Sequence, residues 1–104
     1  MSGSGGGQPP PTADPCEKLT SKTTLTSPVK DVVAQLTKGV ELEIELKKSG
    51  GARVIQALHR GRLAGSITST VIQRIAECIE DGHKYVAEVL SVEGGSCQVL
   101  VRHK

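Results

Sequence analysis

The chain has 104 residues, enough for one domain and too few for two. Its net charge of +2 is below that of a typical nucleic-acid module, and one tyrosine with no Phe or Trp leaves an aliphatic core. No run of about 18 apolar residues is present, so no membrane-crossing helix is expected, and no apolar stretch at the N-terminus reads as a signal peptide.

Residues 1–15 are mostly Gly, Ser and Pro with almost nothing to bury. A disordered tail or linker over 1–18 is expected, followed by a single domain over 19–104. The Pro9–Pro11 run lacks the spaced frame and basic anchor of a polyproline ligand. A domain of roughly 85 residues buries only about 60% of its unfolded surface, so its stability is marginal.

Thr20–Ser27 is Thr-rich and suits an edge strand. In the next stretch Ser27 suits a helix N-cap and Pro28 the first helical position, with Val29, Val32, Val33 and Leu36 on one face. Gly39 closes that helix. Val40–Lys47 is the clearest strand. Val40, Leu42, Ile44 and Leu46 share one face; Glu41, Glu43, Glu45 and Lys47 share the other. The acidic row predicts basic neighbours across the sheet, with Arg53 or Arg102 as suppliers.

After the turn Lys48–Gly51, Ala52–Leu58 reads as a strand with apolar residues on both faces, hence a central one covered on both sides. A basic turn, His59–Arg62, leads into a short strand, Leu63–Ile67. Thr68 or Ser69 is expected to cap a second helix whose apolar stripe is Val71, Ile72, Ile75 and Ile79. Gly82 ends it. His83–Val92 is a long strand, Glu93–Ser96 a glycine hairpin turn, and Cys97–Val101 the last strand. The order β-α-β-β-β-α-β-β predicts a β-rich α+β domain: a small curved antiparallel sheet or six-stranded barrel with two helices.

The three cysteines, Cys16, Cys78 and Cys97, are odd in number and widely spaced, with no CxxC pair. They read as unpaired small hydrophobes in a reducing, cytoplasmic setting. His59, His83 and His103 are not spaced as metal ligands, and no P-loop, HExxH or nucleophile elbow is present, so neither a metal, a cofactor nor catalysis is expected. What remains is a basic pattern. Arg53, His59, Arg60 and Arg62 cluster around one turn, Arg74 and Lys84 flank the second helix, and Thr68 and Ser69 stand at its N-terminus. Together they form a candidate phosphate-contacting surface. Tyr85 is the single residue able to stack on a base.

Gly39–Leu46, then Ala52–Leu58, Gly61–Ile67, a helix ending at Gly82 and Tyr85–Val89 resemble, in order and in their glycine and apolar spacing, the HIRAN domain family. The resemblance covers about residues 23–102. It implies a small β-barrel with two helices that binds single-stranded DNA ends in DNA repair or processing. In this chain the short Lys47–Gly51 stretch replaces the family's longer acidic loop, and Ser66 stands where the family carries an aromatic. The function expected is therefore a non-enzymatic nucleic-acid-binding module resting on phosphate contacts. The alternative is a protein-interaction module using a sheet edge or the Glu41, Glu43 and Glu45 row. Neither reading sets the oligomeric state.

Overall fold

The structure, a computed structural model, describes residues 15–104 (the side chain of Ser49 excepted), so residues 1–14 of the expected tail, with the Pro9–Pro11 run, lie outside the described residues. A 3-10 turn, Cys16–Lys18, precedes β1 (Thr20–Thr24), α1 (Lys30–Val33), β2 (Glu41–Ser49), β3 (Ala52–His59) and β4 (Arg62–Ile67). Then come α2 (Ile72–Glu80), β5 (Tyr85–Glu93) and β6 (Ser96–His103). The folded body therefore takes in Cys16–Lys18, which by composition read as tail.

The six strands form one antiparallel sheet in the order β1-β6-β5-β2-β3-β4, curled into a half-barrel. This is the β-rich α+β architecture that the element order predicts. Three hairpins carry it, each turned by two residues of positive φ: Gly50-Gly51, Arg60-Gly61 and Gly94-Gly95. Such turns match the right-handed twist of the strands they join. The two ends of the sheet are drawn together where the chain leaving β1 reaches β4. Thr26 and Ser66 exchange backbone bonds of 2.8 and 2.9 Å, and Val29 N–H donates to the Ala64 carbonyl at 2.8 Å. Gly65 lies under this crossing. A Cβ there would sit 3.0 Å from the Leu25 Cβ and 3.2 Å from the Thr26 carbonyl oxygen.

The core lies inside the curl. Leu42, Ile55, Ile67, Ile75, Val33, Val89, Val99 and Val101 are its largest fully buried aliphatic side chains, with Ala57, Ala64, Ala76 and Ala87 filling between them. The alternation on β2 and the stripe on α2 act as expected, burying Leu42 and Ile75 while Glu41, Glu43 and Glu77 stay exposed. The outer face of β3 is different. Val54, Gln56 and Leu58 are only half-buried. The expectation of a strand covered on both sides is not met, because α1, α2 and the 3-10 turn all pack into the single inner core.

Both predicted helix starts differ from the sequence reading. α1 is one turn long, begins after Val29, and has no side-chain cap. Ser27 adopts a left-handed φ of 49° and Val29 an extended one, because Val29 is tied to β4 rather than to the helix. α2 begins after Val71, again with no side-chain cap. Thr68 bonds Thr26 across the closure instead, Oγ1 to Oγ1 at 2.7 Å, and the buried Ser69 Oγ has no hydrogen-bond partner. The C-terminus of α2 does follow prediction. Gly82 N–H donates to Ile79 and His83 N–H to Cys78, the paired bonds of a Schellman stop.

The cysteine reading is overturned. Cys16 and Cys78 form a disulfide across a sequence separation of 62 residues, which fastens the 3-10 turn to the buried face of α2. Wide spacing hid the pair, since proximity is set by how the turn docks against α2 in the core. The disulfide also removes the ground on which a reducing compartment was expected. Cys97 alone is free, and it is fully buried.

Three outcomes follow. In the oxidised native protein no thiol reacts rapidly with iodoacetamide, and Cys97 is modified only in denaturant. Rapid native labelling detected by mass spectrometry contradicts this arrangement. Cys78→Ser lowers the unfolding free energy by about 2–4 kcal/mol in urea titrations, as for disulfides closing long loops. Gly65→Ala costs about 1–3 kcal/mol by overpacking the closure; an unchanged midpoint shows that the crossing has slack.

Candidate nucleic-acid interface

The sequence-predicted residues fall into two groups at opposite ends of β3. Arg53 stands near its start and His59 at its end, six residues or about 20 Å along the strand. The far group is His59, Arg60 and Arg62, held by the β3–β4 turn. Arg60 and Arg62 are exposed, His59 is half-buried, and none of the three has an ion-pair partner among the described residues. Val29, tied to Ala64, sets the exposed Lys30 at the start of α1, beside the same strand.

The near group is chemically different. Arg53 bonds Glu80 at 2.8 Å and the Gln73 side-chain oxygen at 2.6 Å, both on α2. Lys48 reaches the same carboxylate at 2.9 Å. The Lys48 ammonium, with Arg53 adding to it, holds the Glu80 carboxyl below its ordinary value. Arg53 thus fastens β3 to α2, and its forked guanidinium is already occupied. Arg74 pairs with Glu77 at 3.6 Å. Thr68 is engaged with Thr26, and Ser69 is not positioned as a cap, so the expected anion site at the α2 N-terminus is not assembled from those hydroxyls. Lys84 is exposed beside β5. The cluster expected around one turn is therefore reduced to its far half.

The acidic row on β2 is largely compensated. Arg102, on β6, bonds both Glu41 and Glu88, and those two carboxylates hold its guanidinium more basic than usual, Glu41 foremost. Lys47 pairs with Glu45 at 3.3 Å. Of the two arginines expected to neutralise this row, Arg102 does so and Arg53 does not.

Tyr85 is not available to a base. The residue is 3% exposed, and its hydroxyl donates to the Cys16 carbonyl oxygen at 2.7 Å. Burial, opposed by Arg74 and reinforced by Glu17, pushes its pKa above 10.0. His103 meets the Tyr85 ring edge-on, with centroids 5.3 Å apart, and its Nε2 lies 3.0 Å from His83 Nδ1. The sequence reading did not find that histidine pair, because it arises between a loop and the end of another strand. Among the described residues no three or more His, Cys, Asp or Glu gather as a metal set, and no helix is long and apolar enough to cross a membrane.

No protein-family model matches the chain, and neither curated proteins nor solved structures give a match.

The single tyrosine makes its environment directly measurable. Absorbance near 295 nm titrates above the ordinary tyrosine value in the native protein and returns to about 10 in urea. Because the folded pKa is raised, this contribution to stability is complete below the unfolded value and is lost as pH rises through the folded one. Tyr85→Phe lowers stability by about 1 kcal/mol through loss of the bond to Cys16. A native titration at the free-tyrosine value contradicts the buried hydroxyl.

Proposed function

We propose that this chain is a non-enzymatic binding module that engages the phosphate backbone of single-stranded DNA through the β3–β4 turn. The observation that carries this is the set of exposed cations there without acidic partners, Arg60 and Arg62, with Lys30 beside the same strand. The β-rich curled sheet with two helices is compatible with the HIRAN resemblance. That resemblance supplies the ligand class, single-stranded DNA ends, and with it a place in DNA repair or processing.

The physical form of binding follows from what surrounds these residues. With Tyr85 buried, no aromatic platform stands beside the cations, so the base-stacking contribution of about 1–3 kcal/mol per base is absent. Affinity then comes from counterion release and falls steeply with salt. Arg53, Arg74 and Arg102 contribute to the scaffold rather than to the ligand, since each is engaged with carboxylates of the domain itself.

A second reading, a protein-interaction module, is favoured by the outer face of the same hairpin. Leu58 and Leu63 are paired across β3 and β4 on the face opposite the core, and Leu63 is 38% exposed. The compensated Glu41 and Glu45 carboxylates make the acidic row a poorer docking surface than this apolar one.

Titration of labelled single-stranded and duplex DNA separates the two. With three phosphate contacts, single-strand affinity falls about twentyfold between 50 and 200 mM salt. The pair Arg60→Ala and Arg62→Ala then lowers the slope of log affinity against log salt by about 1 to 1.5. Arg53→Ala changes stability more than binding. Absence of binding to either DNA at low salt eliminates the nucleic-acid reading and leaves the apolar hairpin face.

A further inference from the structure

We propose that the outer edge of β1 is a strand-addition site for an extended, acidic segment of a partner protein. The phase of the β1–β6 ladder shows which main-chain groups are open there. In an antiparallel pair, alternate residues turn their N–H and C=O towards the neighbouring strand. Leu25 N–H donates to the Cys97 carbonyl at 2.9 Å, so Leu25 turns towards β6. Two and four residues earlier, Thr23 and Ser21 do the same, opposite Val99 and Val101. Thr20, Lys22 and Thr24 therefore turn their N–H and C=O away from β6. Thr26 shares their phase and uses its two groups to close the sheet on Ser66. β4 ends at Ile67, and β1 has no strand but β6 beside it. Among the described residues no backbone bond reaches Thr20, Lys22 or Thr24 from the open side.

The rest of β1 suits an added strand. Thr20 and Thr24 are β-branched and exposed, while Ser21 and Thr23 are half-buried between the buried Leu19 and Leu25. An incoming strand extends both faces: residues opposite Thr20, Lys22 and Thr24 lie outward, and those opposite Ser21 and Thr23 continue the inner, apolar side. The site is independent of the DNA reading. Antiparallel pairing at Thr26 and Ser66 runs β1 away from Arg60 and Arg62, which lie on the other side of the closure.

Lys22 sets the charge of the occupant. It is the one charged residue of the strand, it is exposed, and it has no acidic partner among the described residues. A carboxylate directly opposite is favourable, and a like charge is unfavourable. That rule disfavours a second copy. Two-fold pairing of β1 over its whole length sets the two Lys22 ammonium groups against each other. Moving the centre to Ser21 or Thr23 leaves one of the three outward-turned residues unpaired. The chain's own Pro9–Pro11 run is no better an occupant, since proline has no N–H to give a ladder.

The test is amide hydrogen exchange of the full, oxidised chain, followed by NMR, alone and with the capped peptide Thr-Val-Glu-Val-Thr. In the free protein the Ser21, Thr23 and Leu25 amides exchange slowly, and those of Thr20, Lys22 and Thr24 exchange fast. At a peptide concentration about ten times its Kd, the three fast amides slow about tenfold. N-methylation of the peptide's glutamate, whose main chain faces β1, abolishes binding; N-methylation of its valines, which face away, does not. Lys22→Glu weakens binding of this peptide about fivefold and strengthens binding of the lysine-centred peptide by about as much. The proposal is overturned if the peptide leaves the Thr20, Lys22 and Thr24 amides exchanging freely, or if the two N-methylated peptides bind alike. Equal binding of glutamate- and lysine-centred peptides to wild type also overturns it. So does protection of the three amides in the free chain, because a second copy or the chain's own N-terminal residues then hold the edge.

Discussion

The structure depends on one close approach, the passage of Leu25–Thr26 over Gly65. A six-stranded sheet this small, with no Phe or Trp, cannot fill an open concavity with large side chains. It must bring its two ends together and pack short residues between them. The absence of a side chain at Gly65 lets the chain leaving β1 come within bonding distance of β4. The same need explains why Ala57, Ala64, Ala76 and Ala87 are almost wholly buried. It also explains α1. Its start is dictated by the bond from Val29 to Ala64, and that bond leaves the Ser27-Pro28 pair outside the helix.

A second constraint ties the N-terminal turn to the helix and the sheet. The Cys16–Cys78 disulfide brings the 3-10 turn onto α2, and the Cys16 carbonyl then receives the Tyr85 hydroxyl. The one aromatic side chain is thereby spent on joining the N-terminal turn, α2 and β5. Its burial has a functional consequence. A chain whose single Phe, Tyr or Trp ring is structural has none to offer a base, so the DNA binding proposed here would rest on charge alone. The arginines divide accordingly. Those within reach of a carboxylate, Arg53, Arg74 and Arg102, brace helix and sheet, while Arg60 and Arg62 project from a turn that supplies no such partner.

Local chemistry was legible wherever a few neighbouring residues decide the conformation. The Gly-Gly turns, the alternation of β2, the stripe of α2 and its stop at Gly82 are of this kind, and together they imply the element order and the curled antiparallel sheet. The helix starts were misread because Ser27, Thr68 and Ser69 are good caps in isolation. The closure of the sheet offered their backbone and side chains other partners. The basic cluster was misread because proximity in sequence along an extended strand is distance in space. Arg53 and His59 are six residues apart on β3, and a strand spends those residues in crossing the domain.

The histidine pair shows most clearly where sequence ends. Counted outward from Gly94-Gly95, the hairpin would set Tyr85 opposite Lys104. A bulge between Val89 and Ser91 shifts the register by one, so that Tyr85 meets His103 instead. Because side chains alternate across a strand, that one residue places His103 on the same face as His83 and Tyr85. The sequence by itself determined the elements, their order, the inward faces and the turns, all of which follow from short-range sterics and periodicity. Only the tertiary structure decided the Cys16–Cys78 link, the division of the arginines and the meeting of His83 with His103. Each of these depends on register and closure, which are set by packing among residues far apart in the chain.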